Sequence, residues 1–194
     1  MRLLILLFII IVILAMIAIE ARGEAQRRMN IGLNFNYYLL DDDYFGMDSA
    51  AGALFAFRYE ISNNIYFENC LGSFASEANG VNIDGMNYQF GATAILPYMI
   101  PYRPMARLGV GFLSVNPITV TPTESFRPGQ TAFYFIAGTG ITRSMRENII
   151  IEGTANIHYT PYDYRIYTFD RSEVTTHDVR FTHFVFNLGI SYSF

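Results

Sequence analysis

The chain has 194 residues, enough for one domain, and 52% hydrophobic against only 15% charged residues excludes disorder. A net charge of −4 leaves no basic footprint, so no nucleic-acid partner is expected, and every one of the 13 cations is arginine. Cys70 is the single cysteine, which excludes an intramolecular disulfide.

The first element is an amino-terminal leader. Arg2 precedes an unbroken apolar run from Leu3 to Ile19, followed by EARGEAQRR with small-x-small pairs at Ala21/Gly23 and Gly23/Ala25. This pattern predicts a secretory signal peptide over residues 1–25, cleaved after Gly23 or Ala25, with a mature domain over 26–194. The alternative is an uncleaved anchor, because the run lies between a usual signal core and a full helical span.

Beyond residue 28 the apolar residues alternate with period two, and no long helical period appears. Eight strands are predicted, at about 30–39, 50–60, 65–74, 86–96, 105–115, 131–142, 148–159 and 184–194. Each is near the roughly 9–11 residues that a tilted strand needs to cross a bilayer. The connections alternate in length. SNN, PYMIPYRP and SMREN are short or turn-rich, whereas LDDDYFGMD, the stretch around ANGVNIDG, NPITVTPTESFRPGQ and TPYDYRIYTFDRSEVTTHDVRFTH read as four longer loops.

One set of alternating positions is large and apolar: Leu33, Phe35 and Tyr37, for example, or Leu108, Val110 and Phe112. The opposite set is small or polar, as in Asn30, Gly32, Asn34 and Asn36, or Asn87, Gln89, Gly91 and Thr93. The third strand departs from the rule, since Asn69 and Ser73 share the face of Phe67 and Leu71. A soluble lipocalin-like binding barrel would turn the apolar set inward and clothe the other in charge. Here the second set is Gly, Asn, Ser and Thr with no lysine, which suits a narrow lumen instead. The expected fold is therefore all-β: an eight-stranded antiparallel up-and-down transmembrane β-barrel, preceded by a signal peptide. Its apolar face meets outer-membrane lipid and both termini lie in the periplasm.

The sequence closes on FNLGISYSF, whose apolar set Phe184, Phe186, Leu188, Ile190, Tyr192 and Phe194 would face lipid. This tail resembles the outer-membrane sorting signal read by the barrel assembly machinery, with Asn187, Gly189, Tyr192 and Phe194 at the matching positions. In strand count, connection parity and tail, the chain resembles small eight-stranded outer-membrane proteins of the OmpA and OmpX type. The resemblance implies a bacterial outer-membrane location and an interior held by ion pairs.

Arg58, Glu60, Glu68, Arg107 and Glu152 share the inward set, toward the ends expected in the periplasm. A charge in so narrow a lumen needs a partner, so a cluster of ion pairs is expected there, filling the barrel or gating ions through it. An eight-stranded barrel leaves no room for a wide porin channel. His158 and Thr160, with Glu152 on the same face, are similar to the His-x-Ser element of lipid A deacylases, but threonine replaces serine and the parity points His158 inward. His177, Asp178 and His183 fall in the last loop, read as a polar loop and not a metal site. No catalytic residue, metal or cofactor is expected. The predicted function is a non-enzymatic barrel whose surface loops meet an extracellular ligand or partner, or which supports the outer membrane; the alternatives are a lipid A-modifying enzyme and a soluble binding protein.

Overall fold

The alternation that marks strands in the sequence becomes an alternation of buried and exposed side chains. Along HFVFNLGISY, every second residue from His183 to Ser191 is buried, and every residue between is exposed. The structure, a computed structural model, describes residues 28–42, 47–78, 81–96, 101–116, 118–121, 124–128, 131–161, 164–170, 173–179 and 182–194. The expected signal peptide lies outside them.

The strands are β1 (Met29–Asp42), β2 (Met47–Ser62), β3 (Ile65–Ala78), β4 (Val81–Ile95), β5 (Tyr102–Val115), β6 (Ile118–Thr121), β7 (Glu124–Pro128), β8 (Ala132–Ser144), β9 (Ile149–Tyr159), β10 (Tyr164–Asp170), β11 (Glu173–Val179) and β12 (His183–Ser193). Eight of them close an antiparallel barrel in the order β1-β12-β9-β8-β5-β4-β3-β2. These are the eight expected strands. β3 keeps its place despite Asn69, paired with β2 through Phe57↔Asn69 and with β4 through Asn69↔Phe90. Closure is made by β1 and β12, in register from Asn30↔Ser193 to Leu40↔His183. One rim carries the start of β1 and the end of β12, and is called the terminal rim here; the other is the hairpin rim.

At the hairpin rim the structure corrects the loop reading. β1 and β2 stay paired out to Asp42↔Met47, and β3 and β4 out to Ala78↔Val81. Beyond the apolar belt both faces of a strand are wet, so the period-two signal fades, while backbone pairing continues between strands already held in register. The remaining two expected loops form the hairpins β6–β7 and β10–β11. They join through β7 and β10 into a four-stranded sheet of order β11-β10-β7-β6. Pro128 sits at the end of β7, a position where a missing N–H costs little.

The barrel's outside is apolar. Leu108 is 67% exposed, Leu188 63% and Phe35 59%. Among the described side chains, the charged residues at outward positions of the barrel strands are Asp84 and Arg143, near opposite rims. Tyr88, Phe90, Phe112, Phe133 and Phe135 run across three neighbouring strands with ring centroids 5.1–6.3 Å apart, forming an aromatic belt. A lipocalin would bury such side chains; a barrel in lipid presents them. The folded barrel is accordingly expected to migrate as a compact species on a gel until heated and to precipitate on removal of detergent. A chain that stays soluble without detergent would contradict this exterior.

Candidate functional site

The interior is built on glycine. A methyl group at Gly111 would lie 2.2 Å from the ring of Tyr134, and one at Gly189 would lie 1.8 Å from the amide oxygen of Asn34. Large inward side chains thus lie across neighbouring strands where glycine leaves the floor empty, which is how so narrow a barrel holds them.

Toward the terminal rim, four of the five expected charges meet. Arg58 on β2 and Glu68 on β3 are register partners, with Nε donating to Oε2 at 3.1 Å. The same guanidinium reaches across the lumen to Glu152 on β9, with both Nη1 and Nη2 donating to its two oxygens, the latter at 2.7 Å. Arg107 on β5 lies 2.9 Å from the other oxygen of Glu68. The result is a chain Glu152–Arg58–Glu68–Arg107 with alternating sign and no net charge, its members 1–5% exposed. Thr93 donates to Glu68 at 2.6 Å, the Cys70 thiol donates to it at 3.1 Å, and Arg107 donates to Gln89 at 2.9 Å.

Glu60 stands apart and corrects the expected set. Its carboxylate accepts from the backbone N–H of Arg28 at 3.3 Å and of Asn64 at 3.0 Å. Asn64 occupies the left-handed region with φ 61°, which asparagine tolerates. Glu60 has inward parity, but it is two residues closer to the rim than Arg58, where the turn offers unpaired donors. A cavity of about 250 Å³ opens at this rim, lined among others by Tyr66, Ile95, Thr142 and Ile150. None of the four paired charges lines it, so the open space ends below them.

Toward the hairpin rim lies a second, uncharged layer that the sequence reading did not assemble. Asn87 connects its two tyrosines, donating to the Tyr38 hydroxyl at 3.1 Å and accepting from the Tyr134 hydroxyl. Asn36 also donates to Tyr38. The Tyr134 ring stacks on His158 at 4.6 Å and 16°. His158 Nδ1 lies 3.1 Å from His183 Nε2. His183 therefore belongs to β12 and the lumen, not to a loop; His177 and Asp178 lie in β11. Inward parity with Asn36 and with Gly138 was the available signal for Tyr38 and Tyr134.

His158 and Thr160 are both buried, at 0% and 1% exposure, and face the interior. Glu152 precedes His158 by six residues on the same strand, a separation of roughly 20 Å at about 3.3 Å per residue. Glu152 is bound to Arg58, so it does not orient the imidazole. At the tail, Asn187 and Gly189 face inward, Tyr192 and Phe194 outward. Phe194 N–H donates to the Met29 carbonyl at 2.8 Å, and its ring meets Tyr192 edge to face at 5.0 Å.

Strand order, apolar exterior and filled interior define a small membrane-spanning β-barrel. No protein-family model and no curated protein sequence matches the chain. Solved structures of outer-membrane barrels do match it. It is similar to the outer membrane protein OprG from Pseudomonas aeruginosa, with a TM-score of 0.71 at 14% identity over 88% of this chain and 97% of that one. Neisserial surface protein A gives a TM-score of 0.61 at 15% identity, over 86% and 97% of the two chains. Ail, the attachment invasion locus protein of Yersinia pestis, solved with the heparin analogue sucrose octasulfate, gives 0.55 at 15% identity, over 88% and 100%. At these identities the likeness is one of fold: the eight-stranded barrel of outer-membrane proteins.

Proposed function

We propose that this chain is a non-enzymatic outer-membrane anchor that presents β-structure to the cell exterior for adhesion or partner contact. The observation that carries the reading is the division of labour along the barrel axis. The lumen is occupied by the ion chain and the Tyr/His layer, while β6–β7 and β10–β11 pair into a separate sheet beyond the hairpin rim. A rigid scaffold carrying an ordered projection suits recognition better than transport. Ail, with the same fold, was solved with a heparin analogue, which makes sulfated glycan a sensible first probe. The hairpin rim is then extracellular and the terminal rim periplasmic. The ion chain acts as a structural filling of the lumen, and Asn187, Gly189, Tyr192 and Phe194 are read by the barrel assembly machinery. The separation of Glu152 from His158 speaks against a deacylase-like site.

Adherence of cells displaying the intact chain is to be compared with that of cells displaying chains that lack residues 118–128 or 164–179. Binding to immobilised sulfated glycan or matrix protein should fall when either hairpin is removed, with surface levels unchanged. Unaltered adherence together with a leaky or detergent-sensitive envelope would favour architectural support instead, and altered lipid A mass on expression would revive the enzyme reading. In planar bilayers the purified barrel should give no steady porin-sized conductance, because charged side chains close the lumen; a wide, stable open state would count against the filling role.

A further inference from the structure

The ion chain accounts for the charges of the lumen, but the proposed anchor function leaves its two histidines without a role. We propose that His158 and His183 form a two-imidazole chelate for a divalent transition metal, copper(II) or nickel(II), inside the hairpin-rim end of the barrel.

The two residues are register partners on β9 and β12, so their side chains leave adjacent backbones toward the same side. Both are buried, and His158 Nδ1 and His183 Nε2 face each other at 3.1 Å with the rings at 66°. Imidazole nitrogens bind such metals at about 2.0–2.1 Å. A cation that far from both nitrogens would subtend an N–metal–N angle of about 95–100°, near the 90° of neighbouring positions in a square-planar or octahedral complex and below the tetrahedral angle. That geometry and the ligand type select copper(II) and nickel(II), and exclude magnesium and calcium, which require oxygen ligands.

The rings are held before any metal arrives. Tyr134 stacks on His158, and Tyr38 lies against both imidazoles with centroids at 6.4 and 5.6 Å. The hydroxyls of both tyrosines are fixed by Asn87. A preorganised pair of donors loses little freedom on binding. His158 Nε2 is buried without a hydrogen-bond partner, so the layer is not a completed polar network. In the free pair, one facing nitrogen carries the proton of the hydrogen bond. Metal binding uses both facing lone pairs, and that proton moves to the outer nitrogen of its own ring, with none released. Among the described residues no group of three His, Cys, Asp or Glu could hold a metal, so the proposed site is one with two protein ligands.

The test uses the untagged mature barrel, folded in detergent and titrated with copper(II). Pulsed paramagnetic resonance should report one copper per barrel with two equatorial imidazoles. Copper or nickel, but not magnesium or calcium, should raise the temperature at which compact gel mobility is lost. His158→Gln and His183→Gln should each weaken copper binding by at least about tenfold. His177→Gln, at the third histidine of the chain, should leave it unchanged. The resonance of the unaltered protein decides the matter even where a variant fails to fold: a spectrum with one imidazole or none would overturn the proposal, as would binding that survives His183→Gln in a folded barrel.

Discussion

Replacing Arg58 with methionine should destabilise the folded barrel by about 3–5 kcal/mol, the usual cost of leaving a buried ion without its partner. Arg58 is the one member of the chain that holds both carboxylates, and it supplies both of the hydrogen bonds described for Glu152. Its loss strands Glu152 in a site where that side chain is 3% exposed. Glu68 is less affected, because Arg107, Thr93 and Cys70 still surround it. Arg107→Met should therefore cost less than Arg58→Met, since Glu68 then keeps Arg58. The double variant Arg58→Met/Glu152→Leu should recover more than half of the loss, because desolvation of both ions offsets much of their attraction in the intact pair. Urea titrations in lipid vesicles, read by gel mobility, measure all three differences. Equal losses for the two arginines, or a double variant as unstable as the single, would show that the chain does not work through Arg58.

The sequence made the membrane-embedded barrel legible because lipid outside and a cramped lumen inside impose opposite demands on successive residues. In β12 that demand runs without interruption, and Phe184 to Phe194 could be assigned to one face directly. β3 departs from it, with Ser73 outward and exposed. Asn69 is outward, yet only 3% exposed, between Phe57 and Phe90 on the neighbouring strands, where its amide donates to the Tyr88 hydroxyl at 3.2 Å. Where the demand ends, so does legibility. β6, β7, β10 and β11 lie beyond the belt, and their pairing arises from contact between two segments separated by a whole barrel hairpin. No local period records such a contact.

The interior was legible in membership and not in assembly. Parity brought Arg58, Glu68, Arg107 and Glu152 to one side of the wall, and opposite charges in a narrow space had to pair. Parity alone also admitted Glu60, because it says nothing about depth, and two residues of depth separate a lumen charge from one that meets turn amides. The Tyr/His layer was missed for a different reason. The uninterrupted alternation of large apolar residues begins at Phe184, which leaves His183 in the preceding loop, and without His183 the inward Tyr38, Tyr134 and His158 have nothing to converge on.

Deleting Phe194 separates two effects that act at different stages. In the folded barrel this residue contributes an edge-to-face contact with Tyr192, a hydrogen bond from its N–H to Met29, and apolar area at the lipid boundary. Its ring is 64% exposed on the protein surface, so the neighbouring side chains do not depend on it for their packing. Loss of that area should cost at most about 1.5–3 kcal/mol, the scale for burying one large apolar side chain. The eleven register pairs that join β1 and β12, from Asn30↔Ser193 inward, remain in place. If assembly reads Asn187, Gly189, Tyr192 and Phe194 as proposed, the same deletion acts much more strongly before folding is complete. The chain would then wait in the periplasm with its apolar belt uncovered, open to proteases, so that the amount reaching the outer membrane falls severalfold or more. Refolding of the same variant into detergent should stay close to that of the parent, because no recognition step is involved there. Quantifying the membrane fraction beside in vitro stability distinguishes the two effects. Equal membrane levels for variant and parent would remove the sorting role and leave Phe194 as a boundary side chain of β12 alone.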